Sequence, residues 1–238
     1  MNSRRALSLV FVGLTSLIPL QAKDAGLTQD KPIVQIPKPG VPQIMTMEAK
    51  FVRAAYNNEG YVILGYQASN YSIGEDWMLL EVGMTLLEPT PDYRLTREAL
   101  SLDTPDGKKL PLPSIAEQRD GNPRAIQQRA SVQRDSINYF PVTANRGCGI
   151  GFFPDLGARA LPQDSVEMSS DRACVGRLFF KIPGGIALGQ YWLNVKFKNS
   201  IVRVPFRILT EDEEKLLEKN YKSIEQQVKD AFKPKQKK

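Results

Sequence analysis

The fold is decided by residues 176–209, which read GRLFFKIPGGIALGQYWLNVKFKNSIVRVPFRIL. Three runs of apolar, β-branched and aromatic residues are separated by Pro183-Gly184-Gly185 and by Lys198-Asn199-Ser200. Such side chains suit the pleated, half-buried surface of a sheet, and the separating residues favour turns. We therefore predict a closing sheet whose last two strands form a hairpin.

Alternation along these runs predicts the two faces of each strand. Within residues 191–197 one face is apolar and the other is expected to contact water. The apolar face holds Tyr191, Leu193, Val195 and Phe197, and the wet face holds Trp192, Asn194 and Lys196. Residues 201–208 alternate in the same way.

The composition is that of a soluble globular protein, since 42% of the 238 residues are hydrophobic and 24% are charged. The net charge is +6. Residues 1–22 hold two arginines and no acid, so the remainder carries 30 basic and 26 acidic residues, or +4. A charge this small, spread over the chain, does not indicate a nucleic-acid partner.

The chain contains no histidine. This excludes Ser-His-Asp and Cys-His catalysis and every histidine-ligated metal site. Lysine- or carboxylate-based chemistry remains open, but no motif singles it out. We therefore expect no catalytic activity, no cofactor and no bound metal ion.

Residues 1–22 have the layout of a secretory signal peptide. Two arginines precede an apolar run, and Ala22 is a small residue at which cleavage can occur. The run is short for a membrane anchor, and Pro19 interrupts its end. We expect export to the bacterial periplasm or the extracellular space, by the general secretory or the twin-arginine route.

After residue 22, the composition divides the chain into a linker and a β-rich domain. Residues 23–44 hold four prolines and should form an extended linker. Residues 45–209 are expected to form the β-rich domain. Its first strands are predicted over residues 49–56, 61–71 and 77–88, with a turn at residues 57–60.

Residues 114–135 interrupt the strands and predict a helical insertion. Ser114 with Glu117 matches a capping box, and Pro123 after Asn122 suits the first helical position. Arginines recur every five residues, which scatters them around a helix by about 140° per step. The insertion is either a solvated element or an arginine patch for phosphate or polysaccharide. The arginines are Arg119, Arg124, Arg129 and Arg134.

Cys148 and Cys174 are the only cysteines. In an exported protein an even count predicts one structural disulfide, whereas a redox-active pair would favour a spacing such as C-x-x-C. The bridge would attach a loop-rich segment, residues 145–171, to the strand that follows it. Three glycines of this segment lack the spacing of a dinucleotide fingerprint, and we expect them to give the backbone room near Cys148. They are Gly147, Gly149 and Gly151.

Residues 210–232 predict an amphipathic C-terminal helix, followed by a basic tail over residues 233–238. Thr210 and Glu213 match a second capping box, and acids fill the first turn. Apolar residues at spacings of 4, 3 and 4 form a seam, namely Leu217, Tyr221, Ile224 and Val228. An isolated helix with an exposed apolar seam is only marginally stable in water. The seam must therefore dock on its own domain, on a partner protein or on a membrane surface.

The segment Leu188-Gly189-Gln190-Tyr191-Trp192 resembles the Gly-x-Tyr entry to a late strand in immunoglobulin-like (Ig-like) and fibronectin-like sandwiches. The chain is similar in this respect to small exported bacterial proteins with a telokin-like, Ig-like domain. The resemblance, over residues 176–209, implies that Tyr191 pins the preceding loop to the strand. It implies a fold and a compartment but no activity. Both cysteines lie between Trp77 and Trp192, so the disulfide departs from the Ig inter-sheet bridge.

These patterns predict a mainly β protein, an Ig-like antiparallel β-sandwich with a helical insertion and a C-terminal helix. We expect a non-catalytic module that binds or assembles with an envelope protein through the sandwich and this helix. Peripheral membrane contact and a purely structural role are further options. The alternative is a carboxylate-dependent hydrolase of envelope polysaccharide. Its nearest acids are Glu75, Asp76, Glu81 and Glu88.

Overall fold

The computed structural model describes residues 43–121, 123–132, 134–153 and 161–231. The expectations for the signal segment, for nearly all of the proline-rich linker and for the basic tail fall outside these ranges. The strands are β1 (Ile44–Ala49), β2 (Val52–Tyr56), β3 (Gly60–Gly65), β4 (Trp77–Leu86), β5 (Tyr93–Thr96), β6 (Leu100–Asp103), β7 (Lys109–Pro111), β8 (Arg146–Ile150), β9 (Ser165–Met168), β10 (Arg172–Lys181), β11 (Gly189–Lys196) and β12 (Ile201–Ile208). The helices are α1 (Gln67–Asn70), α2 (Ile115–Asp120), α3 (Pro123–Val132) and α4 (Glu211–Ala231), and a 3₁₀ turn spans Arg97–Ala99. The prediction of a mainly β protein with a C-terminal helix is confirmed.

Six strands form the larger sheet, in the order β1-β2-β3-β4-β10-β8. Neighbours are antiparallel apart from β8 and β10, which run parallel. The predicted turn at residues 57–60 joins β2 to β3. The strand predicted over residues 61–71 ends at Gly65, because the chain there turns into α1.

A second sheet has the order β12-β11-β6-β7, and β5 pairs with β9 separately. The predicted hairpin is confirmed, since β11 and β12 pair antiparallel along their whole length. The expectation that residues 176–209 form one sheet is wrong, because β10 pairs with β4 in the larger sheet. Gly184 and Gly185, with φ of +89° and +86°, let the chain turn between the two sheets.

The two large sheets share one hydrophobic core. The prediction that Trp192 and Asn194 face water is wrong, because each is only 4% exposed. Arg203 covers them, with its guanidinium 4.8 Å from the Trp192 ring and its Nε donating to Asn194 Oδ1 at 2.9 Å. Large aromatic rings fill the core from both sheets, among them Tyr66, Phe179, Phe180, Tyr191 and Phe206.

Tyr191 makes the contact predicted for it. Its hydroxyl accepts a hydrogen bond from the backbone N of Ala187 at 3.0 Å and donates to the carbonyl of Ala187 at 3.1 Å. A buried hydroxyl without a partner would be destabilising, so both bonds matter for this fully buried ring. The contact pins the loop between β10 and β11 to the start of β11.

The predicted insertion consists of two helices. The capping box of Ser114 and Glu117 is present in both directions, and α3 begins at Pro123 as predicted. After α3 the chain passes over the outer face of the larger sheet, and we call residues 134–140 the return segment. Its apolar residues Ile137 and Phe140 pack against a small cluster formed by Val52, Ala54 and Ile63.

The expectation that residues 145–171 are loop is wrong in part, since β8 and β9 lie within them. Gly147 and Gly149 belong to β8, and a Cβ at either position would meet no atom within 4 Å. A Cβ at Gly151 would lie 3.0 Å from the side chain of Gln163, and the closest approach to backbone is at Gly176 of β10, where a Cβ would overlap the carbonyl of Ile150. The glycine that the strand pairing requires is therefore on β10.

Candidate functional site

Cys148 and Cys174 form the predicted disulfide. Their Cα atoms are 4.3 Å apart, and the two residues are register partners on β8 and β10. The bridge thus joins two parallel strands of one sheet, not a loop to a strand. A disulfide of this kind indicates that the protein folds in an oxidising compartment.

The first turns of α4 are attached to the β-rich domain. The predicted capping box is present, with Glu213 N donating to Thr210 Oγ1 at 3.2 Å and Thr210 N donating to Glu213 Oε2 at 3.0 Å. At the next residue, Lys50 Nζ lies 2.7 Å from Glu214 Oε1, and the hydroxyl of Tyr71 donates to the same oxygen at 2.7 Å. Lys50 lies in the β1–β2 turn and Tyr71 follows α1, so two separate elements hold this helix.

The predicted partner-binding face of α4 lies partly against its own domain. Leu217 and Tyr221 are half-buried, and the hydroxyl of Tyr221 donates to the carbonyl of Glu48 at 3.4 Å. The side chains of Ile224 and Val228 lie outside the described part of the chain. The start of the seam therefore contacts β1, and its role toward a partner stays a prediction.

Strand β1 is an edge of the larger sheet in the described part of the chain. Its first four residues are exposed on both faces, with Ile44 at 53%, Met45 at 39% and Met47 at 40%. On α4, which contacts β1 through Tyr221, Leu216 is 60% exposed. We call these four apolar residues the β1–α4 surface. Sequence reasoning missed it, because a strand pattern does not reveal which strand lies at an edge.

The acids considered for a hydrolase do not converge. Glu75 and Asp76 precede β4, Glu81 lies in its middle and Glu88 follows its end. Since a strand rises about 3.3 Å per residue, Asp76 and Glu81 are about 17 Å apart along the chain. A glycosidase needs two carboxyl groups within about 10 Å, across one substrate bond.

A carboxyl group that approaches Glu81 comes instead from Asp135 in the return segment. The backbone N of Asp135 donates to Glu81 Oε2 at 2.6 Å, and Gln67 N donates to Asp135 Oδ2 at 2.8 Å. Glu81 is 9% exposed, and its other oxygen lies 3.5 Å from Arg177 Nε. Sequence reasoning missed this pair because 54 residues separate its members.

The electrostatic state of Asp135 follows from its surroundings. Burial raises the pKa of Asp135 to about 6, against the hydrogen bond from Gln67 N, which lowers it. The nearby carboxylate of Glu81 raises this pKa further, and the more distant Arg53 lowers it. Asp135 is therefore a group that changes charge near neutral pH.

The arginines of the insertion are divided between elements. Arg119 lies in α2 and Arg124 and Arg129 lie in α3, while Arg134 follows it. The five-residue spacing therefore does not run along one helix. Arg119 and Arg134 are exposed, and the side chains of the other two lie outside the described part.

A second buried carboxylate, Glu59, ties the two sheets together. It is 5% exposed and accepts hydrogen bonds from Asn199 N at 3.0 Å and Ser200 Oγ at 2.6 Å. Asn57 Nδ2 also donates to Ser200 Oγ, at 2.9 Å. The β2–β3 and β11–β12 turns are joined in this way. A shallow cavity of about 270 Å³ lies beside them, and another of about 320 Å³ lies between β5 and the β11–β12 turn.

Within the described ranges, no three Cys, Asp or Glu side chains lie close enough together to hold a metal ion. None of the described helices combines the length and apolar character needed to cross a bilayer. No match to this chain was found among protein-family models, curated proteins or solved structures. Function is therefore argued from two features of the chain itself, the β1–α4 surface and the Glu81–Asp135 pair.

Proposed function

We propose that the protein is a non-catalytic protein-binding module of the bacterial envelope, and that its partner binds at the β1–α4 surface. The observation that carries this proposal is the exposure of Ile44, Met45 and Met47 on an edge strand. Edge strands in soluble proteins are usually shielded by Lys, Pro or a covering element, and residues 44–47 contain neither Lys nor Pro. A strand of a partner protein added at this edge would pair the backbone and cover these side chains.

The helix α4 supplies the second half of the proposed contact. Its first turn is held by Lys50 and Tyr71, and Tyr221 in its third turn contacts Glu48 of β1. Leu216 is exposed there, and the seam continues along the sequence to Ile224 and Val228. A partner that pairs with β1 would thus come close to α4, which contacts β1 where Tyr221 meets Glu48.

The Ig-like arrangement and the exported location belong to the same proposal. Two sheets that share one core, together with the contact between Tyr191 and Ala187, support an Ig-like sandwich. The disulfide within one sheet is a departure from that pattern. A signal-like N-terminus and a disulfide support the periplasm or the extracellular space as the location.

Crosslinking in cells of the native host, followed by pull-down, tests the proposal. The wild-type chain is compared with the double variant Met45→Glu/Met47→Glu and with the control Leu188→Glu. Leu188 is 46% exposed in the β10–β11 loop, so the control adds one negative charge, against two in the double variant, away from the proposed surface. Circular dichroism first shows that each variant is folded.

We expect one specific envelope protein to be recovered with the wild type and the control, and at least tenfold less of it with the double variant. Charges at the edge would oppose strand pairing and burial. Equal recovery with all three chains would contradict the proposed surface. If the wild type recovers no specific protein, the binding function itself is rejected.

The Glu81–Asp135 pair favours the alternative function, a carboxylate-dependent hydrolase acting on envelope polysaccharide. A carboxyl group with a pKa of about 6 beside a second carboxylate is the arrangement that acid–base catalysis uses. In this alternative Asp135 is the acid and Glu81 the base or nucleophile. Release of reducing sugar from purified envelope polysaccharide is the assay, with Asp135→Asn expected to reduce it at least 100-fold. Absence of turnover by the wild type would reject the alternative.

A further inference from the structure

The return segment lies on the larger sheet where two glycines make room for it. A Cβ at Gly65 would overlap the side chain of Asp135, and a Cβ at Gly83 would overlap the ring of Phe140. The polar end of the segment is held by the hydrogen bonds of Asp135 to Glu81 and Gln67. Its apolar end is held by the packing of Phe140 and Ile137 on the sheet.

The polar end brings two carboxyl groups together, and two arginines lie nearby. Arg53, the nearby cation on β2, donates to the carbonyl of Ala49 at 2.9 Å and to the hydroxyl of Tyr66 at 2.8 Å. Arg177 on β10 contacts Glu81 at 3.5 Å. Among the described residues, the charged and titratable groups near Asp135 are Glu81, Arg53, Tyr66 and Tyr71, and Arg177 lies against Glu81.

We propose that Asp135 and Glu81 form a pH-dependent latch, which holds the return segment on the sheet in mild acid and loosens it above neutral pH. A neutral Asp135 carboxyl keeps its hydrogen bond from Gln67 without opposing the Glu81 charge. An ionised Asp135 is both partly desolvated and close to a second negative charge, so the closed position becomes less stable. The latch stands on the geometry of this chain and does not depend on the proposed binding function.

Opening of the latch would uncover a surface that adjoins β1. Across the sheet, Thr46 pairs with Ala54, Ala54 with Ile63, and Ile63 with Gly83. These residues share one face, and the return segment covers the part formed by Ala54 and Ile63. Release would therefore uncover Ala54 and Ile63 beside Thr46 of β1.

Hydrogen exchange read by mass spectrometry tests the latch on the purified full chain, without any partner. Protection factors of peptides covering residues 134–140 are compared at pH 5 and pH 8, after correction for the intrinsic pH dependence of exchange. The pKa of Asp135, raised from 3.8 to about 6, predicts that protection falls up to about tenfold between these values. Protection of β11 reports global unfolding and should stay higher than that of residues 134–140 at both pH values, so that exchange of the return segment is read as local opening.

Two variants separate the latch from general loosening. Asp135→Asn keeps an oxygen that can accept from Gln67 but cannot ionise, so protection should be the same at both pH values. Glu81→Gln keeps an acceptor for the backbone N of Asp135 and should reduce the fall to a few-fold. The control Asp106→Asn, in an exposed turn, should behave as the wild type.

The proposal is overturned if wild-type protection is equal at pH 5 and pH 8. It is equally overturned if Asp135→Asn shows the same fall as the wild type, because another group would then be responsible. The hydrolase alternative and the latch remain distinguishable, since exchange is measured without substrate.

Discussion

The side chain of Asp135 occupies the space that a Cβ at Gly65 would need. This relationship explains why β3 ends in glycine on its outer face, where the return segment crosses. The hydrogen bond from Gln67 N to the Asp135 carboxyl depends on the glycine at position 65, because the carboxyl lies over the backbone of that residue.

Substituting Gly65→Ala should displace Asp135 and destabilise the protein by about 1–3 kcal/mol, the usual cost of overpacking. The free energy of unfolding in urea measures this. The matched control is Gly147→Ala, where a Cβ meets no atom within 4 Å and the change should stay within about 0.5 kcal/mol. Equal effects of both substitutions would contradict the close approach.

The stability of the protein should depend on pH through Asp135. Its pKa is raised in the folded state, so the neutral form stabilises the native protein below pH 4, and this contribution is lost as pH rises through about 6. Between pH 5 and pH 8 the wild type should lose about 1.4 kcal/mol relative to Asp135→Asn. Urea unfolding of both chains at the two pH values measures the difference. A difference that does not vary with pH would show that Asp135 does not titrate as described.

Loss of the disulfide should lower stability by about 3 to 4 kcal/mol, because the bridge closes a loop with a sequence separation of 26. Thermal unfolding of the oxidised chain is compared with that of the double variant Cys148→Ala/Cys174→Ala. The control is Ser136→Ala, an exposed residue outside the strands, which should leave the midpoint nearly unchanged. An unchanged midpoint in the double variant would mean that the pairing of β8 with β10 does not need the bridge.

Removing one hydroxyl, in Tyr191→Phe, should cost about 1–3 kcal/mol. Two hydrogen bonds to the backbone of Ala187 would be lost, and each contributes about 0.5–1.5 kcal/mol. The control is Tyr139→Phe, whose ring is 36% exposed and which should change stability little. Proteolysis of the β10–β11 loop should also become faster in Tyr191→Phe alone. The absence of both effects would show that Tyr191 does not pin this loop.

Local sequence signals predicted the elements that depend on near neighbours. The capping boxes at Ser114 and Thr210, the hairpin of β11 and β12 and the pinned loop at Tyr191 each involve contacts within a few residues. In such cases side-chain chemistry and backbone geometry act over one turn of chain. The disulfide was also predictable, because only two cysteines are present.

The features proposed to matter for function depend on contacts that the chain makes over long distances. Glu81 and Asp135 belong to a strand and an insertion, and only the packing of the return segment brings them together. In the same way, the position of β1 at an edge depends on the order of six strands. No local sequence pattern predicts the Glu81–Asp135 contact or the edge position of β1.

The amino-acid sequence by itself determined the mainly β composition, the C-terminal helix, the disulfide and the exclusion of histidine chemistry. The tertiary structure alone decided that β10 and β11 belong to different sheets, that Trp192 is buried beneath Arg203, and that Asp135 lies against Gly65. The physical reason is that the hydrophobic period of a sequence and its secondary-structure propensities describe only a residue and its neighbours in the chain. Burial, strand order and charge pairing arise only when distant segments exclude water from between them.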